Sequence, residues 1–277
     1  MPRLEILHAT RLTFSRPIAE TVMELHARPL DGLGQRCLSF HLEIEPVSQL
    51  HTYRDGFGNH VHYFNHLPVH ERVTVIARSV VETEVDSGPL DSEEFPEDFL
   101  QFRSPVLHLP RIARIAARFK HDGSAESCAA ALDSLATWIN REFEYLPETT
   151  DIYTAVDTVL DLRSGVCQDF AHLFCAVARS MAIPCRYVSG FIPPGGGRTG
   201  SGATHAWAEA WVGDRWIGYD PTNPVRAGRF HVRVAVGRDY RDVPPNRGVY
   251  LGAAEGSIAI EVKVKQLTGT SRPGAPG

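Results

Sequence analysis

Three residues in the second half of the chain have types that work together in covalent catalysis: Cys167, His205 and Asp220. A cysteine attacks as its thiolate, so it needs a neighbour that takes its proton and surroundings that favour the anion. An imidazole supplies the base, and a carboxylate fixes the orientation and tautomer of that imidazole. Cys167 stands in RSGVCQDFAHLFCAVARSM, where Ser164 as N-cap places it in the first turn of a helix. The unsatisfied N–H groups and the macrodipole at such a helix start favour negative charge. His205 begins THAWAEAW, and Asp220 ends RWIGYD.

These residues act only if the backbone brings them together. Gly213-Asp214 reads as a two-residue hairpin turn between two strands. That turn sets Val212 opposite Arg215, Trp211 opposite Trp216 and Trp207 opposite Asp220. Strand side chains alternate, so His205 shares the face of Trp207 and becomes a diagonal neighbour of Asp220, roughly 7–8 Å away between backbones. A slip of one residue would destroy the arrangement. The same parity turns Ala206, Ala208 and Ala210 to the opposite face, where small side chains let a helix pack closely. The helix bearing Cys167 is predicted from about Val166 to Met181, ending near Ile183-Pro184 because proline disfavours helix in the residue before it. An earlier helix runs from Ser124 as N-cap to about Phe143, with Leu132, Leu135, Trp138 and Ile139 at helical spacing. Thr154 and Asp157 resemble a capping box opening a short helix through Leu162.

Residues 1–85 read as strands. Leu38, Phe40, Leu42 and Ile44 alternate with polar neighbours, and Val73, Val75 and Ala77 repeat the pattern. Recurrent turn signals make an antiparallel β-sandwich the natural architecture. Residues 86–122 change character: DSGPLDSEEFPEDF is an acidic, proline-containing stretch that reads as a connector, with short helices near Ile112 and Ile115. Strands resume with CRYVSGFI, HAWAEAWV, RWIGYDP, HVRVAVG and SIAIEVKVKQL. The glycine-rich stretch 193–204 ends beside His205 and has two readings, a lid that limits water at the site or a tolerated insertion.

Taken together, GVCQDFAHLFCAVARSMAIPCRYVSGF, THAWAEAW and WIGYDPTNP resemble the transglutaminase-like cysteine-hydrolase superfamily, and more narrowly its bacterial members of the cysteine-protease type. RPL at 28–30, DGFGN at 55–59 and VVET at 80–83 resemble the bacterial transglutaminase-like N-terminal region. VAVGRDYRDVPPNRGVY at 234–250 resembles the same subgroup. The resemblance matches Cys167 to the nucleophile, His205 to the general base and Asp220 to the orienting carboxylate. It implies an α+β chain whose N-terminal antiparallel β-sandwich precedes a papain-like, transglutaminase-like core, with the cysteine-bearing helix packed on an antiparallel sheet. The expected boundaries are 1–90 for the sandwich, 91–122 for the connector, 123–267 for the core and 268–277 for a disordered tail. The expected activity is acyl transfer on a peptide or carboxamide bond through an acyl-thioester, ending in hydrolysis by a peptidase or amidase. Its alternatives are glutamine γ-glutamyl transfer, which cross-links proteins, and a catalytically silent binding module. The partner is a peptide or protein substrate, and no metal or organic cofactor is required.

Other reactive residue types have plainer readings. Cys175 and Cys185 lack a base and read as interior thiols. His172 lies five residues beyond Cys167, about 140° around the helix, and reads as structural. Gln168 and Asp169 are polar first-turn residues, Glu209 is a strand carboxylate on the His205 face, and Trp207 on that face is placed to cover either the His–Asp bond or the acyl pocket. His60, His62, His66 and His70 lack a cysteine or carboxylate at ligand spacing, so a structural zinc site is not expected. Asp239 and Tyr240 read as a loop turn.

Composition narrows the remaining classes. The chain has 277 residues, 43% hydrophobic and 22% charged, as a globular protein does. A net charge of −5 gives no nucleic-acid footprint. No apolar run approaches the ~18 residues of a membrane span, and the N-terminus shows no secretory signal. Five cysteines with no CxxC pair point to free thiols in a reducing, cytoplasmic setting.

Overall fold

The computed structural model describes residues 1–85, 95–195, 198–200 and 203–267. The chain opens with six strands: β1 (Arg3–Ile18), β2 (Glu20–Leu25), β3 (Gln35–Glu45), β4 (Leu50–Arg54), β5 (His60–His66) and β6 (His70–Thr83). Helix α1 (Pro110–Ala116) and helix α2 (Ala125–Glu142) follow, then β7 (Glu144–Tyr145), α3 (Val156–Leu162), β8 (Ser164–Gly165) and α4 (Cys167–Ser180). Seven strands follow among the described residues: β9 (Cys185–Phe191), β10 (His205–Val212), β11 (Arg215–Asp220), β12 (Val225–Arg226), β13 (Val232–Gly237), β14 (Asn246–Leu251) and β15 (Gly256–Leu267).

Two four-stranded antiparallel sheets form the sandwich, ordered β15-β1-β6-β3 and β14-β2-β5-β4. Their inner faces carry the alternating apolar residues of the sequence, among them Phe14, Met23, Leu25, Phe64, Val73 and Val75. The last two strands therefore belong to the sandwich, which corrects the expected extension of the core to residue 267. Periodicity marks 256–267 as a strand but carries no record of its partner, and β15 pairs with β1 from Arg3↔Leu267 to Phe14↔Gly256. The expected tail 268–277 and residues 86–94, the start of the acidic stretch, lie outside the described residues.

The second sheet system is five-stranded, β12-β11-β10-β9-β13. One face is covered by α4, buried on every side and packed against the other helices and against β9 and β10. Ala206, Ala208 and Ala210 lie in this contact, as their parity requires. Ser124 caps α2 as expected, its Oγ accepting from Ser127 N at 3.2 Å. Helix α3 differs from expectation: it is capped by Ala155 without a side-chain bond, because Thr154 Oγ1 donates instead to Asp151.

The opposite face and the β13 edge meet the sandwich. Leu4, Ile6, Val81, Val262 and Val264 pack against Phe191, Val232 and Val234. Two amide side chains of the sandwich side bracket the β13 backbone. Gln35 accepts from Arg233 N and donates to Arg233 O, at 2.8 and 2.9 Å. Asn59 does the same at Val236 N and O, both at 2.8 Å. An edge strand of the core sheet is thus closed by side chains rather than by another strand.

Candidate active site

Cys167 is the first residue of α4, and Val166 is its N-cap. The expected cap, Ser164, is instead drawn into β8, which pairs in parallel with β7. Asp169 closes the helix start by accepting from Val166 N at 2.8 Å and from Thr150 Oγ1 at 2.6 Å, so its role is structural. The short β7–β8 ladder sets Tyr145 opposite Gly165, two residues before Cys167. Burial, reinforced by the charges of Cys167, Asp169 and Asp220, pushes the Tyr145 hydroxyl up to about 12.

The hairpin register follows the Gly213-Asp214 turn, with Val212↔Arg215, Trp211↔Trp216 and Ala208↔Tyr219. Gly213 takes a left-handed φ of 71°, as the turn demands. This register brings His205 and Asp220 together: His205 Nε2 lies 2.8 Å from Asp220 Oδ2, and both side chains are fully buried. His205 Nδ1 is left without a formed hydrogen bond, and Cys167 is the neighbour whose sulfur interacts with the ring. Burial alone would lower the imidazole, but the hydrogen bond to Asp220 and the negative charges of Cys167 and Asp220 outweigh it and raise His205 to about 10.

Asp220 is saturated with donors. Oδ1 accepts from Thr222 N at 3.0 Å and Asn223 N at 3.3 Å. Oδ2 accepts from Asn223 Nδ2 at 2.8 Å and faces His231 Nε2 at 3.1 Å as well as His205. Burial would raise the carboxyl, yet the hydrogen bonds from His205 and His231 hold it well below the usual carboxylate range. Trp207 stacks on His205 with ring centroids 6.2 Å apart and covers the pair. Gly190 makes this possible, because a Cβ there would stand 2.6 Å from the Trp207 ring.

Within the glycine-rich stretch, 196–197 and 201–202 lie outside the described residues, so the lid expectation is untouched there. Thr199 N donates to Asn223 Oδ1 at 2.7 Å. Gly200 follows with φ +79°, against the imidazole: a Cβ there would sit 2.8 Å from His205 Nδ1 and 3.6 Å from Tyr145 Oη.

The remaining candidates lie apart from this group. His172 accepts from Tyr240 N at Nε2, 3.1 Å, in the core. Glu209 is buried between Arg186 and Arg233, away from α4. Asp239 pairs with Arg103 and caps a turn at Arg241 N. Cys175 and Cys185 face each other at 3.6 Å in the core. His70 bonds Thr21 and Pro68 O, and His66 bonds Ser48. Among the described residues, one trio of metal-ligating atoms gathers within 4.8 Å, that of His205, Asp220 and His231. Its 2.8 and 3.1 Å separations are those of hydrogen bonds. Tyr145, Asn223 and His231 join the site without a signal among the motifs above. Asn223 could have been found, since it stands three residues past Asp220 in DPTN, where a side-chain amide folds back on a turn.

Comparison with known proteins extends these findings. Residues 113–221 match the family model of the transglutaminase-like superfamily, and residues 4–82 match that of the bacterial transglutaminase-like N-terminal region. An uncharacterized protein of Mycobacterium leprae is 33% identical over 279 residues, covering 96% of this chain and all of the relative. An uncharacterized protein of Mycobacterium tuberculosis is also 33% identical, over 95% of this chain and 91% of its own length. The crystal structure of a candidate cysteine protease from Cytophaga hutchinsonii superposes with a TM-score of 0.79 at 21% identity, covering 100% of this chain and 94% of that one.

Proposed function

The chain belongs to the transglutaminase-like superfamily and carries its bacterial N-terminal region, and from that premise we propose that it is a cysteine-dependent hydrolase of peptide or carboxamide bonds. The observation that carries this reading is the orientation of His205. Its Nε2 is committed to Asp220 at 2.8 Å, which leaves Nδ1 as the nitrogen available to Cys167 at the start of α4.

In this reading the Cys167 thiolate attacks the carbonyl carbon, and the C=O electron pair moves to oxygen. Backbone N–H groups at the α4 start, that of Cys167 included, stabilise the oxyanion. Imidazolium Nδ1–H of His205 gives its proton to the leaving amine as the C–N bond breaks, and a thioester remains on Cys167. His205 then takes a proton from water, whose oxygen attacks the thioester. The C–S bond breaks, the carboxylic product leaves and the thiolate–imidazolium pair returns. Asp220 keeps its charge throughout and fixes the tautomer of His205.

The test is a panel of peptide amides incubated with the protein and sampled by intact-mass spectrometry, with and without a primary amine. Hydrolysis predicts a transient acyl adduct on Cys167 and release of the acid in water. Release only as the amine conjugate would instead identify γ-glutamyl-type transfer. No adduct and no turnover across the panel, with Cys167 inert to thiol electrophiles, would leave a silent binding module.

A further inference from the structure

We propose that His231 is a positioning residue of this site, holding the Asp220 carboxylate in the one orientation that serves His205; this rests on the hydrolase reading above. Two imidazoles share a single carboxylate oxygen, His205 Nε2 at 2.8 Å and His231 Nε2 at 3.1 Å from Oδ2.

The tautomer of His231 follows from its other nitrogen. Nδ1 faces Gly228 N at 3.3 Å, and a backbone amide can only donate. Nδ1 therefore offers its lone pair, and the ring proton sits on Nε2, directed at Asp220. His231 is a donor to the carboxylate, and the other tautomer would cost it the Gly228 contact.

The donor is held from several sides. His231 is buried, and its ring meets Trp207 edge to face at 5.1 Å and 77°. Trp207 in turn stacks on His205, so three rings enclose the carboxylate. His231 directly precedes β13, whose backbone is bracketed by Gln35 and Asn59. Through this strand the sandwich fixes where the second imidazole stands. His231 lies 6.3 Å from the His205 ring centroid and touches Asp220 rather than Cys167, so its influence passes through the carboxylate.

Asp220 Oδ2 has three side-chain donors, and removing one lets Oδ2 shift toward the other two while Thr222 N and Asn223 N keep Oδ1. His205 then loses the alignment that turns Nδ1 toward Cys167. A donor to a charged group is worth about one to two orders of magnitude in a rate it controls.

The experiment measures the second-order rate constant for alkylation of Cys167 by iodoacetamide at pH 6.5, read by mass spectrometry. The proteins are the parent, His231→Leu, His231→Gln, His231→Asn, Asp220→Asn and the His231→Leu/Asp220→Asn double variant. Gln places an amide nitrogen where Nε2 stood, whereas Asn is too short to reach Oδ2. We expect His231→Leu and His231→Asn to slow alkylation by about 10–100-fold and His231→Gln to stay within about threefold of the parent. In the Asp220→Asn background, His231→Leu should add nothing, because its effect has lost its intermediary. Equal rates for Gln and Asn variants, or a Leu effect that persists undiminished without Asp220, would overturn the inference. The Gln and Asn pair decides it even if the Leu variant does not fold. A parent rate no faster than that of Asp220→Asn would instead overturn the hydrolase reading, so the two failures are distinct.

Discussion

Gly200→Ala sets two parts of the site against each other. The added Cβ would stand 2.8 Å from His205 Nδ1 and 3.3 Å from Cε1, too close for either to stay in place. Either the imidazole or the loop must yield. The imidazole is held by a fully buried, charge-assisted hydrogen bond to Asp220 at 2.8 Å and by the stacked Trp207 ring. The described end of the loop is held by the Thr199–Asn223 contacts, two hydrogen bonds worth about 1 kcal/mol each. The loop is the weaker side and gives way. A left-handed φ of +79° adds about 1–2 kcal/mol against the same conformation for an alanine. Raising the arrangement that seats residue 200 against the imidazole by that amount enriches displaced ones by a factor of about 5–30. Iodoacetamide should therefore alkylate Cys167 about 5–30-fold faster in Gly200→Ala, with a thermal midpoint within a few degrees of the parent. A slowing of more than about tenfold in a folded variant would show that the imidazole moved instead, and would refute this ranking of forces.

Glu209→Gln should destabilise the protein by about 3–5 kcal/mol in urea titration, because Arg186 and Arg233 stay buried without their counter-charge; a loss under about 1 kcal/mol would mean that the two arginines find water or other partners. Asn59→Ala strips Val236 N and O of their partners and should cost about 1–3 kcal/mol, measured the same way, with no loss expected if water replaces the amide. The pH dependence of stability has a defined sign. Because folding raises His205 above 6.5, its contribution is complete below about pH 6.5 and is lost as pH rises toward 10. Unfolding free energy should fall across that window in the parent and stay flatter in His205→Gln; parallel curves would contradict the pairing.

The Cys167–His205–Asp220 group was legible because each member sits on an element with a strong local signal. Gly213-Asp214 fixes the hairpin register, and the register alone decides which side chains share a face. The long apolar helix after Cys167 needed no tertiary information. Features made by distant pairing were not legible. Ser164 looks like an N-cap in isolation, yet it pairs with Glu144 and leaves Val166 to cap α4. The strands 246–251 and 256–267 look like a continuation of the core until their partners, β2 and β1, are known. His231 stands alone before a strand, and nothing in its spacing points at Asp220 eleven residues earlier. Its role appears only when the chain after β12 turns back under Trp207.

Competitive labelling of the five cysteines separates a Cys167 paired with His205 from an ordinary buried thiol. All five are free thiols, and Cys37 alone is not buried. Exposure by itself would therefore make Cys37 the first to react, while Cys167 is 9% exposed. The parent protein is treated with substoichiometric iodoacetamide at pH ~6, where ordinary thiols are almost wholly protonated, and digested for mass spectrometry. Cys167 is expected to take most of the label, and Asp220→Asn to abolish this preference. Preferential labelling of Cys37, unchanged by Asp220→Asn, would contradict the pairing.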